Sequence, residues 1–305
     1  MSMYRTTLEQ IEKRASLLKK LRPAYEEIID FYSAIFTAQE ASKLELDLEP
    51  IIIDPNVIKI KVESGMPLIS PYQFTIDFKH AKELFLKLCK IAEGKAPKLK
   101  IDAENIISAL SKNSLDLDKI FRTTIEKEQK YLKEVGSLLN LNEDALNFFA
   151  LAAVAPSIQT CSVQLSHYIN PNSPSDSLSA KSLSSNGNLE VVWKHGYCPI
   201  CGSPPQLGFF SQDGEKHLVC SLCMHFWKVS RMGCSLCQNQ DKEKHQYFFN
   251  EEEKEYRVYL CSSCGKYLKF VDLRELARDF YPPIEQLCTL HLDMQATEQG
   301  YSSAV

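Results

Sequence analysis

Cys198-Pro199-Ile200-Cys201-Gly202, Cys220-Ser221-Leu222-Cys223, Cys234-Ser235-Leu236-Cys237 and Cys261-Ser262-Ser263-Cys264-Gly265 place eight of the chain's 11 cysteines in four Cys-x-x-Cys pairs. One such pair offers two thiolates from a single tight turn. Two turns on facing strands complete the tetrahedron that a borderline-soft divalent ion requires. The first two pairs are separated by 18 residues (202–219) and the last two by 23 (238–260), close to the roughly 15–20 residues of a metal ribbon. The middle gap of 10 residues (224–233) is short for a ribbon hairpin. The spacing therefore predicts one site from Cys198, Cys201, Cys220 and Cys223 and another from Cys234, Cys237, Cys261 and Cys264.

The two halves read as copies of one unit, each opened and closed by a cysteine pair. Between the pairs lie runs rich in aromatic and β-branched residues, at 206–210, 217–219, 247–250 and 256–260, which predict short strands. Gly202 and Gly265 each follow the second cysteine of a pair, where a backbone with positive φ is useful. The pattern predicts two rubredoxin-like (zinc-ribbon) modules in tandem, 191–232 and 233–270. Tetrahedral four-sulfur sites suit iron or zinc, and spacing does not separate the two.

Other uses of cysteine fit less well. Disulfides need an oxidising compartment. The opening Met1-Ser2-Met3-Tyr4-Arg5 leads into an amphipathic stretch without the apolar segment of a secretory leader. Thioredoxin-like redox turns belong to a βαβ context, and four in a row would be odd. Four thiolates per ion leave no coordination position open, so both metals read as structural. His195, His217, His225 and His245 could in principle replace a ligand, but a histidine near a ribbon more often lies at the surface or behind the ligands.

At 305 residues the chain is long enough for two domains. A net charge of −4 argues against a general nucleic-acid or anionic-membrane binder. The ribbon region 191–281 carries 12 Lys+Arg against 11 Asp+Glu. Eight thiolates around two divalent ions would add about −4 to that balance. The longest purely apolar run, 148–155, is far shorter than the ~20 residues of a membrane span. These features predict a soluble, cytoplasmic protein without membrane insertion.

Glycine use divides the chain: only Gly65, Gly94 and Gly136 precede residue 187, and the other eight follow. The glycine-poor part carries helical periodicity. Leu8, Ile11, Ala15 and Leu18 form one stripe, and Ile28, Ile29, Tyr32, Ile35 and Phe36 form another after Pro23. Ala81, Leu84, Phe85, Leu88 and Ile91 follow Asp77, a good helix cap. A short helix is predicted around 106–110, a longer charged one over 120–139, and a buried central one around 146–151 that Pro156 kinks or ends. Cys89, Cys161 and Cys288 lie on apolar stretches and read as core residues. Trp227, between the two modules, reads as an ordinary core aromatic. Leu273, Leu276, Ala277 and Phe280 predict a further helix, and Ile284, Leu287, Cys288, Leu290 and Met294 a last one that packs back on the body. The predicted architecture is thus α+β and multidomain. An all-α domain (1–170) leads through a Ser/Asn/Pro-rich linker (171–190) to the two tandem modules and C-terminal helices (271–305).

The cysteine pairs, with Trp227 and Arg231 at short intervals and Lys266-Tyr267-Leu268-Lys269 after the last, resemble the bacterial formate dehydrogenase accessory protein family FdhE. The resemblance extends to Glu63-Ser64-Gly65-Met66-Pro67-Leu68-Ile69, to Phe148-Phe149-Ala150-Leu151-Ala152 with Pro156, and to Leu290-His291-Leu292-Asp293 through Gly300-Tyr301. It implies a helical domain followed by two rubredoxin-like modules holding iron or zinc. It also implies a non-enzymatic, chaperone-like role in the cytoplasm, with the catalytic subunit of a molybdenum or tungsten formate dehydrogenase as the partner that is matured. The Glu251-Glu252-Glu253 insertion and the linker depart from the family pattern. Two other classes remain open on residues alone: a zinc-ribbon nucleic-acid-binding protein, which the near-neutral ribbon charge disfavours, and an iron redox protein. Homo-oligomerisation is left open as well.

Overall fold

The computed structural model describes residues 8–126, 128–169 and 193–305, so the predicted linker 171–190 lies outside the described residues. The helices are α1 (Leu8–Leu21), α2 (Glu26–Lys43), α3 (Pro55–Glu63), α4 (Phe78–Lys95), α5 (Lys100–Ser111), α6 (Leu117–Glu126), α7 (Gln129–Leu139), α8 (Glu143–Ser166), α9 (Pro282–Cys288) and α10 (Leu290–Glu298). The strands are β1 (Pro205–Phe210), β2 (Lys216–Cys220), β3 (Phe226–Lys228), β4 (His245–Phe248), β5 (Tyr256–Cys261), β6 (Lys266–Asp272) and β7 (Ser302–Ser303). They form two compact units. One contains 8–50 and 71–161; the other contains 51–70 together with the described residues from 162 onward.

The first unit is helical, as its periodicity predicts. The buried face of α4 is Ala81, Leu84, Phe85, Leu88, Cys89 and Ala92, and Asp77 caps it by accepting the His80 amide at 3.1 Å. The α8 residues Leu146, Phe149, Ala150, Val154, Ile158 and Cys161 are fully buried. Phe149 meets Phe85 edge-on at 6.3 Å, and Phe85 meets Phe121 at 5.9 Å. By length and composition α8 could cross a membrane, yet 56% of its apolar window is buried inside the structure, as befits a core helix.

Pro156 does not end α8. It lacks the N–H that would bond the Ala152 carbonyl, and the Gln39 side chain from α2 donates to that carbonyl at 2.7 Å instead. The predicted helix over 120–139 is two helices. The Glu128 amide bonds back to the Thr123 carbonyl at 3.0 Å, which closes α6 before α7 begins.

The second unit is built on one sheet with the order β3-β2-β1-β6-β5-β4, and β7 pairs with β6 off that path. Each module contributes an antiparallel ribbon, β1–β2–β3 and β4–β5–β6. The ribbons join through parallel pairing of β1 with β6, Gly208 opposite Phe270. A Cβ on Gly208 would collide with the Phe270 ring, so glycine sets how closely that ring lies over β1.

The predicted helix over 273–280 is absent. Asp272, 1% exposed, accepts the Arg274 amide at 3.2 Å and its guanidinium at 2.7 and 2.6 Å, holding a turn instead. Phe280 then inserts beside Phe209, 5.0 Å between ring centres. The last predicted helix is broken into α9 and α10 at Thr289, whose hydroxyl donates to the Glu285 carbonyl at 2.8 Å. Both pack on the sheet. Glu285 accepts from Tyr256 of β5 at 2.5 Å and from Arg278 at 2.9 Å, and Asp293 pairs with Lys269 of β6 at 2.6 Å.

Candidate metal centres

Three of the four cysteine pairs sit on a turn closed by a backbone bond to the first cysteine's carbonyl, and the fourth is closed by the Cys220 amide donating to the His225 carbonyl at 2.9 Å. Amides of Gly202, Gln238 and Gly265 donate to the carbonyls of Cys198, Cys234 and Cys261 at 2.9, 3.0 and 2.9 Å. Amides also point at sulfur: Leu222 and Cys223 on Cys220 Sγ at 3.4 Å each, Leu236 and Cys237 on Cys234 Sγ at 3.4 and 3.5 Å.

The structure brings Cys198, Cys201, Cys220 and Cys223 into one group and Cys234, Cys237, Cys261 and Cys264 into another. Within each, the four sulfurs lie within 4.8 Å of one another. A tetrahedron with metal–sulfur bonds of about 2.3 Å has sulfur–sulfur edges of about 3.8 Å. The first group shows edges of 3.5, 3.6 and 3.6 Å, and the second 3.8 and 3.9 Å. These spacings are far too long for disulfides, which need about 2.05 Å. Each group could therefore hold one metal ion. No histidine belongs to either group among the described residues. His195 stacks on Tyr197 at 5.0 Å and His217 on Phe209 at 4.9 Å. His245 stands opposite Cys261 in the β4–β5 register.

The two groups differ in exposure. All four cysteines of the first are buried, with no side chain above 2% exposed. In the second only Cys261 is buried; Cys237 is exposed and Cys234 and Cys264 are half-buried. Beside this second group lies Lys216 of β2, 4% exposed. Burial pushes its amine down to about 8, against the pull of Cys234.

The 63–69 segment has a structural role that its residues alone did not reveal. Leu68 and Ile69 donate backbone hydrogen bonds to Pro199 and Ile200 in the first cysteine turn, both at 2.9 Å. Tyr197 donates its hydroxyl to the Gly65 carbonyl at 2.7 Å. Gly65 has φ of +69°, and a Cβ there would press on the His195 ring. The adjacency of Pro67, Leu68 and Ile69, apolar in a glycine-containing loop, was the available signal.

The thiols of Cys89, Cys161 and Cys288 are pushed up by burial to about 12, 11 and 12. Each is buried and belongs to neither metal group.

Residues 197–231 match the family described as FdhE, central domain. A protein FdhE homolog of Aquifex aeolicus is 25% identical over 94% of this chain and 90% of its own length. The matched domain and this relative support the FdhE family for this chain. An FdhE homolog of Stutzerimonas stutzeri is 36% identical, but over only 34% of this chain and 35% of its own length. The crystal structure of the FdhE protein from Pseudomonas aeruginosa superposes with a TM-score of 0.60 at 21% identity, covering 98% of this chain and 95% of that one. That likeness is one of fold, and the described residues show its order in this chain: helices first, then the sheet carrying both cysteine groups, then the terminal helices.

Proposed function

We propose that this chain is a non-enzymatic maturation factor that binds the catalytic subunit of a molybdenum or tungsten formate dehydrogenase in the cytoplasm. Each cysteine group holds one structural ion, iron or zinc. The observation that carries this reading is the pair of four-sulfur groups on a single sheet, in a chain whose residues 197–231 match the FdhE central domain. Four protein ligands close a tetrahedral ion to water, so the ions support shape and leave no position for substrate. What the chain then offers a partner is surface: a helical unit and a ribbon unit made rigid by metal. The catalytic step belongs to the client.

The test is a host lacking this chain. It should make formate dehydrogenase polypeptide but little active enzyme, and complementation by Cys198→Ser or Cys261→Ser should fail. Normal dehydrogenase activity in the deletion host, with every client isoform assayed, would overturn the reading. Elemental analysis of the purified, fully loaded protein should find two ions per chain.

A further inference from the structure

We propose that Lys216, carried by the first ribbon, is the charge partner of the second cysteine group and slows the loss of its metal. The inference rests on the reading that these groups hold metal, and concerns a residue outside both.

Lys216 begins β2, the strand that ends in Cys220 of the first group. Its side chain does not serve that group. It reaches a small cavity of about 40 Å³ lined by Cys234 and Cys261 of the second group, by Tyr259 and Phe270, and by Lys266. Its Nζ lies 4.9 Å from the centre of the Phe270 ring and 5.3 Å from that of Tyr259. No carboxylate pairs with it among the described residues, and no hydrogen bond holds it there. Lys266, the other cation on the cavity, is engaged elsewhere: its ammonium donates to the Ser303 carbonyl at 2.8 Å in an exposed contact.

An ammonium this buried is costly without a compensating negative charge. Two ring faces offset part of that cost. The remaining compensation is the cysteine group itself, since four thiolates around a divalent ion carry a net charge of about −2. The demand is reciprocal. The second group is the solvent-exposed one, with Cys237 at its rim, so it lacks the burial that encloses the first. A fixed positive charge behind it stabilises the thiolates against protonation and departure. The charge comes from the neighbouring ribbon, so retention of the second ion depends on the β1–β6 junction that joins the ribbons.

The experiment uses the full-length chain loaded with zinc and challenged with a chromogenic chelator. Wild-type protein should release two ions in two phases, the faster assigned to the second group by its disappearance in Cys237→Ser. Lys216→Met and the polar, uncharged Lys216→Gln should accelerate that phase about tenfold or more, the scale of an outer-sphere partner. The slower phase should not change. Lys216→Arg, which keeps the charge, should release zinc near the wild-type rate. A wild-type rate in Lys216→Met overturns the proposal, as does equal acceleration in Lys216→Arg, which would mean packing and not charge. Acceleration of both phases together would mean a disturbed β2 and overturns it too. A wild-type chain that binds no zinc or iron at all removes the metal reading itself, a separate and distinguishable failure.

Discussion

All four cysteine turns are followed by a residue in the left-handed region: Gly202 at φ +74°, Met224 at +60°, Gln238 at +61° and Gly265 at +66°. Only glycine takes this conformation without a steric cost, which for other residues is roughly 1–2 kcal/mol. The two glycines differ in surroundings. A Cβ on Gly202 would meet Pro67 Cγ at 3.2 Å, whereas one on Gly265 would meet nothing within 4 Å. Gly265→Ala is therefore expected to cost about 1 kcal/mol in stability, from conformation alone. Gly202→Ala should cost more, because it also pushes the 63–69 segment off the first turn. Denaturant melts of the metal-loaded variants check this; equal losses would show that Pro67 yields freely. At this scale the grouping of the eight cysteines into two sets of four and two of the four turn residues were legible in sequence, because cysteine spacing and glycine report geometry directly. Met224 and Gln238 were not, since the turn forces them into a conformation that their own chemistry does not announce.

At the scale of elements, helices form where caps and apolar stripes agree, and continue through Pro156 where a side chain supplies the missing bond. If Gln39 satisfies the Ala152 carbonyl, Gln39→Leu should destabilise the helical unit by about 1 kcal/mol. In a Pro156→Ala background residue 156 regains its N–H, and Gln39→Leu should then cost much less. Additive losses in the double-mutant cycle would show that the Gln39 bond is independent of the proline. The cap of α4 carries a pH signature. Burial alone would raise the Asp77 carboxyl, but the His80 amide, the His80 ring and the Asp47 amide together hold it below the usual range. A depressed carboxyl stabilises the fold above its unfolded value, about 3.9, and loses that contribution as pH falls through its lower folded value. Asp77→Ala should thus cost about 1 kcal/mol at neutral pH, and the gap to wild type should close in acid melts below about pH 4. The stripes and this cap were readable from periodicity. The interruption between α6 and α7 and the turn after Asp272 were not, because each depends on a specific hydrogen bond overriding a continuous helical pattern.

For the whole molecule, the two ribbons are one sheet, and that changes what metal loss should do. Four of the strands were visible as aromatic and β-branched runs. Their order was not, because parallel pairing of β1 with β6 links residues about sixty positions apart, such as Gly208 and Phe270, with no local signal. Nor did composition show that 51–70 belongs with the sheet, since α3 reads like any other helix. Ligand loss at one group should therefore be felt across the junction. Metal binding energy is folding energy for such modules, and the sheet retains an apolar core of its own at Phe209, Val258 and Phe270. Cys261→Ser is expected to lower hydrogen-exchange protection most in β4, β5 and β6 and to a lesser degree in β1, leaving the helical unit 8–50 and 71–161 protected. Cys89→Ser, which exchanges one small buried group of α4 for a more polar one, should reverse the pattern and loosen α4 while the sheet stays protected. Chelation of wild-type protein should reproduce and extend the first pattern, exposing both ribbons while the helical amides remain slow. Sheet protection that survives complete metal removal would mean that packing, and not the cysteine groups, holds the ribbons together.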